Sequence, residues 1–431
     1  MTRPYAFLQP GRRIAVVGAG IAGLAGAYLL SRRHRVTLFE ANGYLGGHTH
    51  TVDVELDGIR HPVDTGFLVF NERTYPNLIA LFAELGVAVH RSDMSFSVSL
   101  DGGRLEWAGS SLNTVFAQRA NAFSPTFIGM LRDILRFNAS AQRHLDIATR
   151  TRCSVGELLA EGSYGAPFQH HYLVPMAAAI WSSAAQDILR FPAATFLRFC
   201  LNHALLQVNR RPSWQTVAGG GREYVRRLAA TLDDIRARTP VRQVRRDATG
   251  VTVITDAGPE RFDAIVLASH APTSLALLDD ADDDERRVLG AVRYQRNIAV
   301  LHTDAALLPK RRRVWSAWNY LGGRANGHAR PVCVSYLINQ LQPLPFASPV
   351  VVTLNPVAEP GPGHELGRYV YEHPLLDLAA IDAQQHLPSL QGRRRTWFAG
   401  AWAGYGFHED GLKSALNVAA DFGVLPGWAA R

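Results

Sequence analysis

Gly18-Ala19-Gly20-Ile21-Ala22-Gly23 has the residue types and spacing that let a backbone approach a pyrophosphate. Gly18 permits a tight turn, Gly20 lets the chain come close to the phosphates, and Gly23 lets a helix pack closely on a strand. Glu40 follows about 20 residues later, where a carboxylate accepts hydrogen bonds from the ribose hydroxyls of an adenosine. Such an acid disfavours a 2′-phosphorylated cofactor. This chemistry requires the turn to open a helix whose N-terminus faces the phosphates. The flanking residues meet that demand. Ile14, Ala15, Val16 and Val17 suit a buried parallel strand, Ile21 to Leu30 suit a packed helix, and Val36 to Phe39 read as a second strand ending at Glu40. The βαβ order predicts dinucleotide binding without choosing between FAD and NAD.

A second glycine pair, Gly46-Gly47, follows the acid where a simple Rossmann dehydrogenase more often continues into another helix. The run Gly18 to Glu40, then Gly46-Gly47, then Asp64-Thr65-Gly66, resembles the superfamily of flavin-containing amine oxidases and phytoene desaturases. The likeness extends to the far end, where Thr396 to Gly400 reads as a strand reaching a glycine. Gly404 to Gly411 and a helix from about Leu412 to Phe422 come next. In that superfamily the first glycine pair lies beside FAD, usually between arginines, whereas this chain has Tyr44 and His48 in the flanking places. The last helix aims its N-terminus at the pyrimidine side of the flavin, where its dipole stabilises the reduced cofactor's negative charge. The resemblance thus implies FAD as cofactor, held by Gly18, Ala19, Gly20, Ile21, Ala22, Gly23, Glu40, Ala41, Gly46, Gly47, His48, Thr65, Gly66, Gly400, Gly411 and Leu412, with Val241 meeting the adenine edge through its backbone. It also implies an α/β fold, in which a Rossmann-like FAD-binding domain of the glutathione reductase type is interwoven with a mixed-sheet and helical substrate domain.

Asn71 to Asn77, Asp93 to Phe96 and the Gly406 to Gly411 segment look like a bacterial flavoprotein subgroup. That subgroup is similar to the flavin domain fused to plant cyclopropane fatty acid synthases. Many amine oxidases of the superfamily place a lysine near flavin N5, and neither Lys310 nor Lys413 matches it. His408 stands where a tyrosine of the amine-bracketing aromatic pair is expected. The resemblance therefore implies an FAD-dependent oxidoreductase that transfers a hydride from an apolar, lipid or fatty-acyl substrate to flavin N5, in an oxidation, desaturation or isomerisation. A flavin amine oxidase and a flavin-binding, lipid-presenting partner without turnover are the alternatives. His408 and Glu409, and Glu372-His373 before Pro374, are candidate acids or bases. Capping of the final helix is the competing role for Glu409 and Asp410. No cysteine lies in the cofactor-facing segments, which argues against a cysteinyl flavin link.

With 431 residues and 47% apolar content, the chain can bury a large core in two lobes. The net charge of +8 is almost all arginine, yet no nucleic-acid motif accompanies Lys310 to Arg313 or Arg393 to Arg395. These clusters read as solvated loops. Cys153, Cys200 and Cys333 are scattered and odd in number, without the spacing of a disulfide framework or zinc site, so a reducing compartment is expected. No metal is expected at His170-His171, because adjacent helix positions point in different directions. No apolar signal core precedes Ile14, and residues 162 to 186 are interrupted by Gln169, His170, His171 and Pro175. A cytoplasmic location follows. Phe168 to Ile180 and Phe191 to Leu206 fit core, the wall of an apolar tunnel, or a peripheral contact with the inner membrane face.

These segments predict five stretches: a first part of the FAD-binding domain over 1–95, a substrate domain with a helical insertion over 96–210, a second FAD part over 211–280, a second substrate part over 281–390, and a C-terminal FAD part over 391–431. Within them, Phe67 to Phe70 reads as a strand, Tyr75 to Leu85 as a helix closed by Gly86, and Asp101-Gly102-Gly103 as a hairpin turn. Ser124 to Leu206 is expected to be helical, and Asp279 to Arg287 a charged, solvated linker or helix start.

Overall fold

In the computed structural model, which describes residues 9–207, 211–322 and 332–429, the glycine turn lies where the sequence placed it. Strand β1 (Arg13–Val17) runs into it, helix α1 (Ile21–Ser31) leaves it, and β2 (Arg35–Phe39) returns parallel to β1. The N-terminal residues 1–8, on which the signal-peptide expectation bears, lie outside the described residues. The sheet is parallel, in the order Asp234–Arg236, β2, β1, Ala264–Leu267, Thr396–Phe398. Its inner strands are apolar on both faces because both faces are covered. On one side α1 packs against the C-terminal helix His408–Asp421, where Gly411 leaves room for Ile21, since a Cβ there would lie 2.8 Å from the isoleucine Cγ2. On the other side the core joins Ala15, Val17 and Phe398 to Val288, Leu289, Ala380 and Leu387. Helices Asp283–Gly290 and Leu378–Leu390 therefore back the dinucleotide sheet, although both fall in 281–390, the stretch expected in the substrate domain.

A seven-stranded sheet forms the second lobe, in the order Glu365–Leu375, Arg293–His302, Val351–Leu354, Cys333–Leu337, Trp318–Gly322, Phe96–Leu100, Leu105–Ala108. All its neighbours are antiparallel except Trp318–Gly322 with Phe96–Leu100. Helices between Pro125 and Asn202 cover it, and Phe137, Phe168 and Phe196 share one core with Leu301, Val334 and Val352. The tunnel-or-core segments supply much of this cover, and a π-helical turn at Gln169–Leu173 carries the two histidines.

Three expectations need correction. Phe67 to Phe70 is not a full strand, since only Phe70–Asn71 pairs, and the preceding residues instead wall the site described below. The charged stretch after Asp279 is a helix start and not a linker, and it is solvated only in part. Asp282 caps the helix Asp283–Gly290, and Glu285 lies buried against the Arg246 guanidinium, with oxygen–nitrogen distances of 2.5 and 2.9 Å. Nor is Arg393 to Arg395 a solvated loop. Arg393 pairs with Asp282 and Asp284, and Arg394 with Asp280, so the basic run is matched to the acidic one. Among the described residues, no helix is long and apolar enough to cross a membrane.

Candidate active site

A cavity of about 510 Å³ lies between the two lobes, and its wall is assembled from segments far apart in the chain. Gly18, Ala19, Gly20, Ile21 and Ala22 form one end, joined by Glu40, Ala41, Gly46, Gly47, His48, Thr65, Gly66, Val241 and Gly400. Of the expected cofactor contacts, Gly23, Gly411 and Leu412 are not on this wall. Gly23 works from behind: a Cβ there would sit 1.8 Å from the Gly18 carbonyl oxygen, so the bare residue lets the turn close. Gly411 and Leu412 are buried in the packing of the last helix.

Glu40 has a structural role of its own. One carboxylate oxygen accepts the Ala19 N–H at 2.8 Å and the other accepts the Asn42 N–H at 2.8 Å, so the acid also ties its own strand to the glycine turn. Each oxygen keeps a lone pair for a sugar hydroxyl. Two observations fit a bound dinucleotide. Gly20 has an ordinary backbone conformation, φ −71° and ψ −177°, and a Cβ on it would meet no protein atom within 4 Å. The described protein itself does not require glycine there, whereas a close-lying pyrophosphate would. His48 Nε2 is buried without a partner among the described residues, on the same wall.

Histidines crowd the next part of the wall. The His48 and His373 rings lie 5.2 Å apart, and His48 lies the same distance from Tyr371. Burial, with neighbouring histidines, pushes His48 well below its ordinary range, and burial brings His373 down to about 4. His408 stacks on Phe67 at 3.6 Å, while its Nε2 lies 2.8 Å from Thr49 Oγ1 and 3.2 Å from the Tyr224 hydroxyl. Burial lowers it to about 3. These rings are neutral imidazoles near pH 7, so they present hydrogen-bonding groups without charge of their own.

Glu409 faces elsewhere. It is buried, and its carboxylate accepts the Asn77 N–H at 3.2 Å, the Asn77 side-chain amide at 2.7 Å and the Leu78 N–H at 3.0 Å. It therefore caps helix α2 (Pro76–Leu85), not the helix that carries it, because the first-turn amides of α2 have no internal acceptors. Asp410 caps its own helix by accepting the Phe407 N–H at 3.0 Å.

Several wall residues escaped sequence reasoning. Tyr371 donates to or accepts from Thr65 Oγ1 at 2.6 Å and lies 3.0 Å from His50 Nδ1. His270 stacks on Tyr294 at 4.2 Å and approaches Glu372 at 3.2 Å. The alternation Tyr369, Tyr371, His373 within one strand places the three on one face and was a readable signal. The far part of the wall is apolar, formed by Ile180, Trp181, Phe199, Trp318, Val352 and Leu354. Neither lysine lines the cavity, nor does any cysteine. No group of side chains suited to a metal ion occurs among the described residues.

A family model described as flavin containing amine oxidoreductase matches residues 21–303. A carotenoid phi-ring synthase of Streptomyces griseus is 31% identical over 327 residues, covering 69% of this chain and 59% of that protein, so the chain spans about three fifths of the relative's length. Among solved structures, a CLA-producing fatty acid isomerase from P. acnes superposes with a TM-score of 0.65 at 18% identity, over 95% of this chain and 98% of that one. A cyclohexylamine oxidase from Brevibacterium oxydans gives 0.66 at 16% identity, over 96% and 99%. At these identities the structural likenesses establish a shared fold.

Proposed function

We propose that this chain, which belongs to the flavin containing amine oxidoreductase family, is an FAD-dependent oxidoreductase of an apolar, lipid-like substrate. FAD is the cofactor that membership of the family carries, and when bound it supplies a hydride acceptor. The residues around the glycine turn fit it: Gly18 to Ala22 and the α1 N-terminus toward the phosphates, Glu40 toward the ribose, and Val241 toward the adenine edge. Gly46, Gly47, His48, Thr65, Gly66 and Gly400 line the continuation of that wall.

The observation that carries the substrate reading is the apolar wall of Ile180, Trp181, Phe199, Trp318, Val352 and Leu354, joined to histidines kept neutral by burial. Such a surface holds a hydrocarbon by excluding water, and the carboxylate beside it, Glu372, is engaged with His270 at 3.2 Å. His373 is the group best placed to hold or pass a proton, because its Nδ1 is fixed 3.1 Å from the Asn297 side-chain amide and its ring lines the cavity. His408 is held by Thr49 and Tyr224, and Glu409 serves the fold. The names of the carotenoid-ring and fatty-acid relatives agree with an apolar substrate.

The test is the visible spectrum of the purified protein, followed by anaerobic addition of fatty-acyl lipids, carotenoids and simple amines. Flavin bands bleached by an apolar compound are expected. Bleaching by amines alone, with peroxide released in air, would replace this reading with an amine oxidase. A yellow protein that nothing bleaches would favour a lipid-presenting partner.

A further inference from the structure

The apolar side chains most open to solvent gather on one stretch of the second lobe. Phe123, Leu112 and Leu135, exposed to 88%, 78% and 61%, are the three most exposed large apolar side chains among the described residues. All lie between strand Leu105–Ala108 and the end of helix Pro125–Ala139. Phe168, Leu173, Phe196 and Leu197, from the segments that the sequence offered as a membrane contact, are buried instead.

Helix geometry sorts the side chains of Pro125–Ala139. Phe127, Met130 and Phe137 turn into the core, whereas Ile128, Arg132, Leu135 and Ala139, at i, i+4, i+7 and i+11, share one exposed sector about 60° wide. Ser124 caps the first turn by accepting the Phe127 N–H at 3.3 Å, which fixes the helix start and leaves Phe123 exposed just ahead of it. The short helix Leu112–Val115 is tied to the same place, because Phe116 at its end meets Phe127 with ring centroids 5.9 Å apart. Arg119 donates to the Phe116 carbonyl at 2.9 Å and to Asn113 Oδ1 at 2.6 Å, so its guanidinium is held beside that helix.

Residues 107–132 contain no Asp or Glu. The acids that bound the stretch are engaged. Glu106 is buried against Arg311 at 2.7 Å, and Asp133, about 100° round the helix from Arg132, pairs with Arg136 at 3.0 Å. Arg119 and Arg132 are exposed and have no carboxylate within 4 Å among the described residues. Lys310, Arg312 and Arg313, also exposed, adjoin the stretch where Val314 packs with Ala108 and Ala117. A second copy of the chain suits this face poorly, since a two-fold interface would set Arg119 and Arg132 against their own copies with no acid of the face to pair them. An anionic bilayer supplies both missing partners, phosphate oxygens for the guanidiniums and an apolar layer for the exposed tips.

We propose that the face formed by Leu112, Arg119, Phe123, Ile128, Arg132 and Leu135 docks the protein on an anionic lipid bilayer, with the apolar tips below the headgroups and the guanidiniums among the phosphates. Docking there does not depend on which substrate the cavity takes.

Flotation of the purified protein with vesicles of phosphatidylcholine alone, or of phosphatidylcholine and phosphatidylglycerol in equal parts, tests this. Binding to the anionic vesicles is expected to be at least about tenfold tighter and to weaken as salt is raised. Phe123→Ser with Leu135→Ser should lower that affinity by about tenfold or more, and Arg119→Gln with Arg132→Gln should cut the preference for phosphatidylglycerol by about fivefold or more. All four side chains are exposed, so the melting temperature is expected to hold. Leu425→Ser, at an exposed apolar residue outside the face, is expected to leave vesicle binding unchanged. No binding to the anionic vesicles, or a loss shared equally by Leu425→Ser, overturns the proposal. Binding that survives the serine pair is adsorption by net charge, and it too overturns the docking face. A dimer in sedimentation that the serine pair disperses, without vesicle binding, gives the face to a second copy and overturns the bilayer.

Discussion

At the scale of single residues, the sharpest contrast is between glycines the fold needs and glycines it does not. A Cβ on Gly23 collides with the turn, whereas one on Gly20 meets nothing. Gly20→Ala is therefore expected to leave the apoprotein's melting temperature unchanged or slightly raised, while FAD affinity falls by about tenfold or more. Unchanged FAD binding in that variant would remove the pyrophosphate from Gly20. Glu409→Gln should destabilise the protein by about 1–2 kcal/mol through loss of the charged cap on α2, with the flavin spectrum intact. A large loss of flavin reduction at unchanged stability would instead return Glu409 to the chemistry. For His408 the sign follows from its depressed pKa of about 3. The unfolded chain takes up a proton near pH 6.5 and the folded site resists, so this contribution to stability is present above that pH. It is lost as pH falls, by about 1.4 kcal/mol per unit. Melting temperature should drop between pH 6.5 and 4, and less steeply in His408→Gln. The glycine turn between β1 and α1 was legible because backbone geometry dictates its spacing. The role of Glu409 was not, because the helix it caps is more than 320 residues away.

At the scale of elements, local patterns were read well wherever one strand or turn sets its own periodicity, as in β1, the Gly86 cap and the hairpin at Asp101. They misled at Glu285, where charge was taken to mean solvent. The buried Arg246 links the antiparallel strand Val241–Arg246 to helix Asp283–Gly290 through Glu285, and Asp280 holds the same guanidinium. Glu285→Gln should cost about 3 kcal/mol, since it leaves a buried cation with one acid. Urea midpoints of this variant and of Glu285→Gln with Arg246→Met measure it. A double variant no more stable than the single one would show that the cost is packing and not charge. Composition alone could not reveal this pairing, because Arg246 and Glu285 meet only after two elements dock.

At the scale of the whole molecule, the two-lobe architecture followed from motifs at the start, middle and end of the chain. The apolar wall of the cavity did not, because Trp181, Trp318 and Leu354 come from separate elements whose convergence depends on the seven-stranded sheet. The parallel sheet has a consequence for how the protein is made. Strand Ala264–Leu267 leaves the ribosome with β1 as a partner on one side, but its other edge waits for Thr396–Phe398. Translation at about 5–20 residues per second keeps that apolar edge uncovered for many seconds. A nascent chain halted before Thr396 would lack the last strand, the Gly400 segment of the wall and the cap on α2. Cofactor capture would then be a late event, and chaperone demand would peak while the edge stands open.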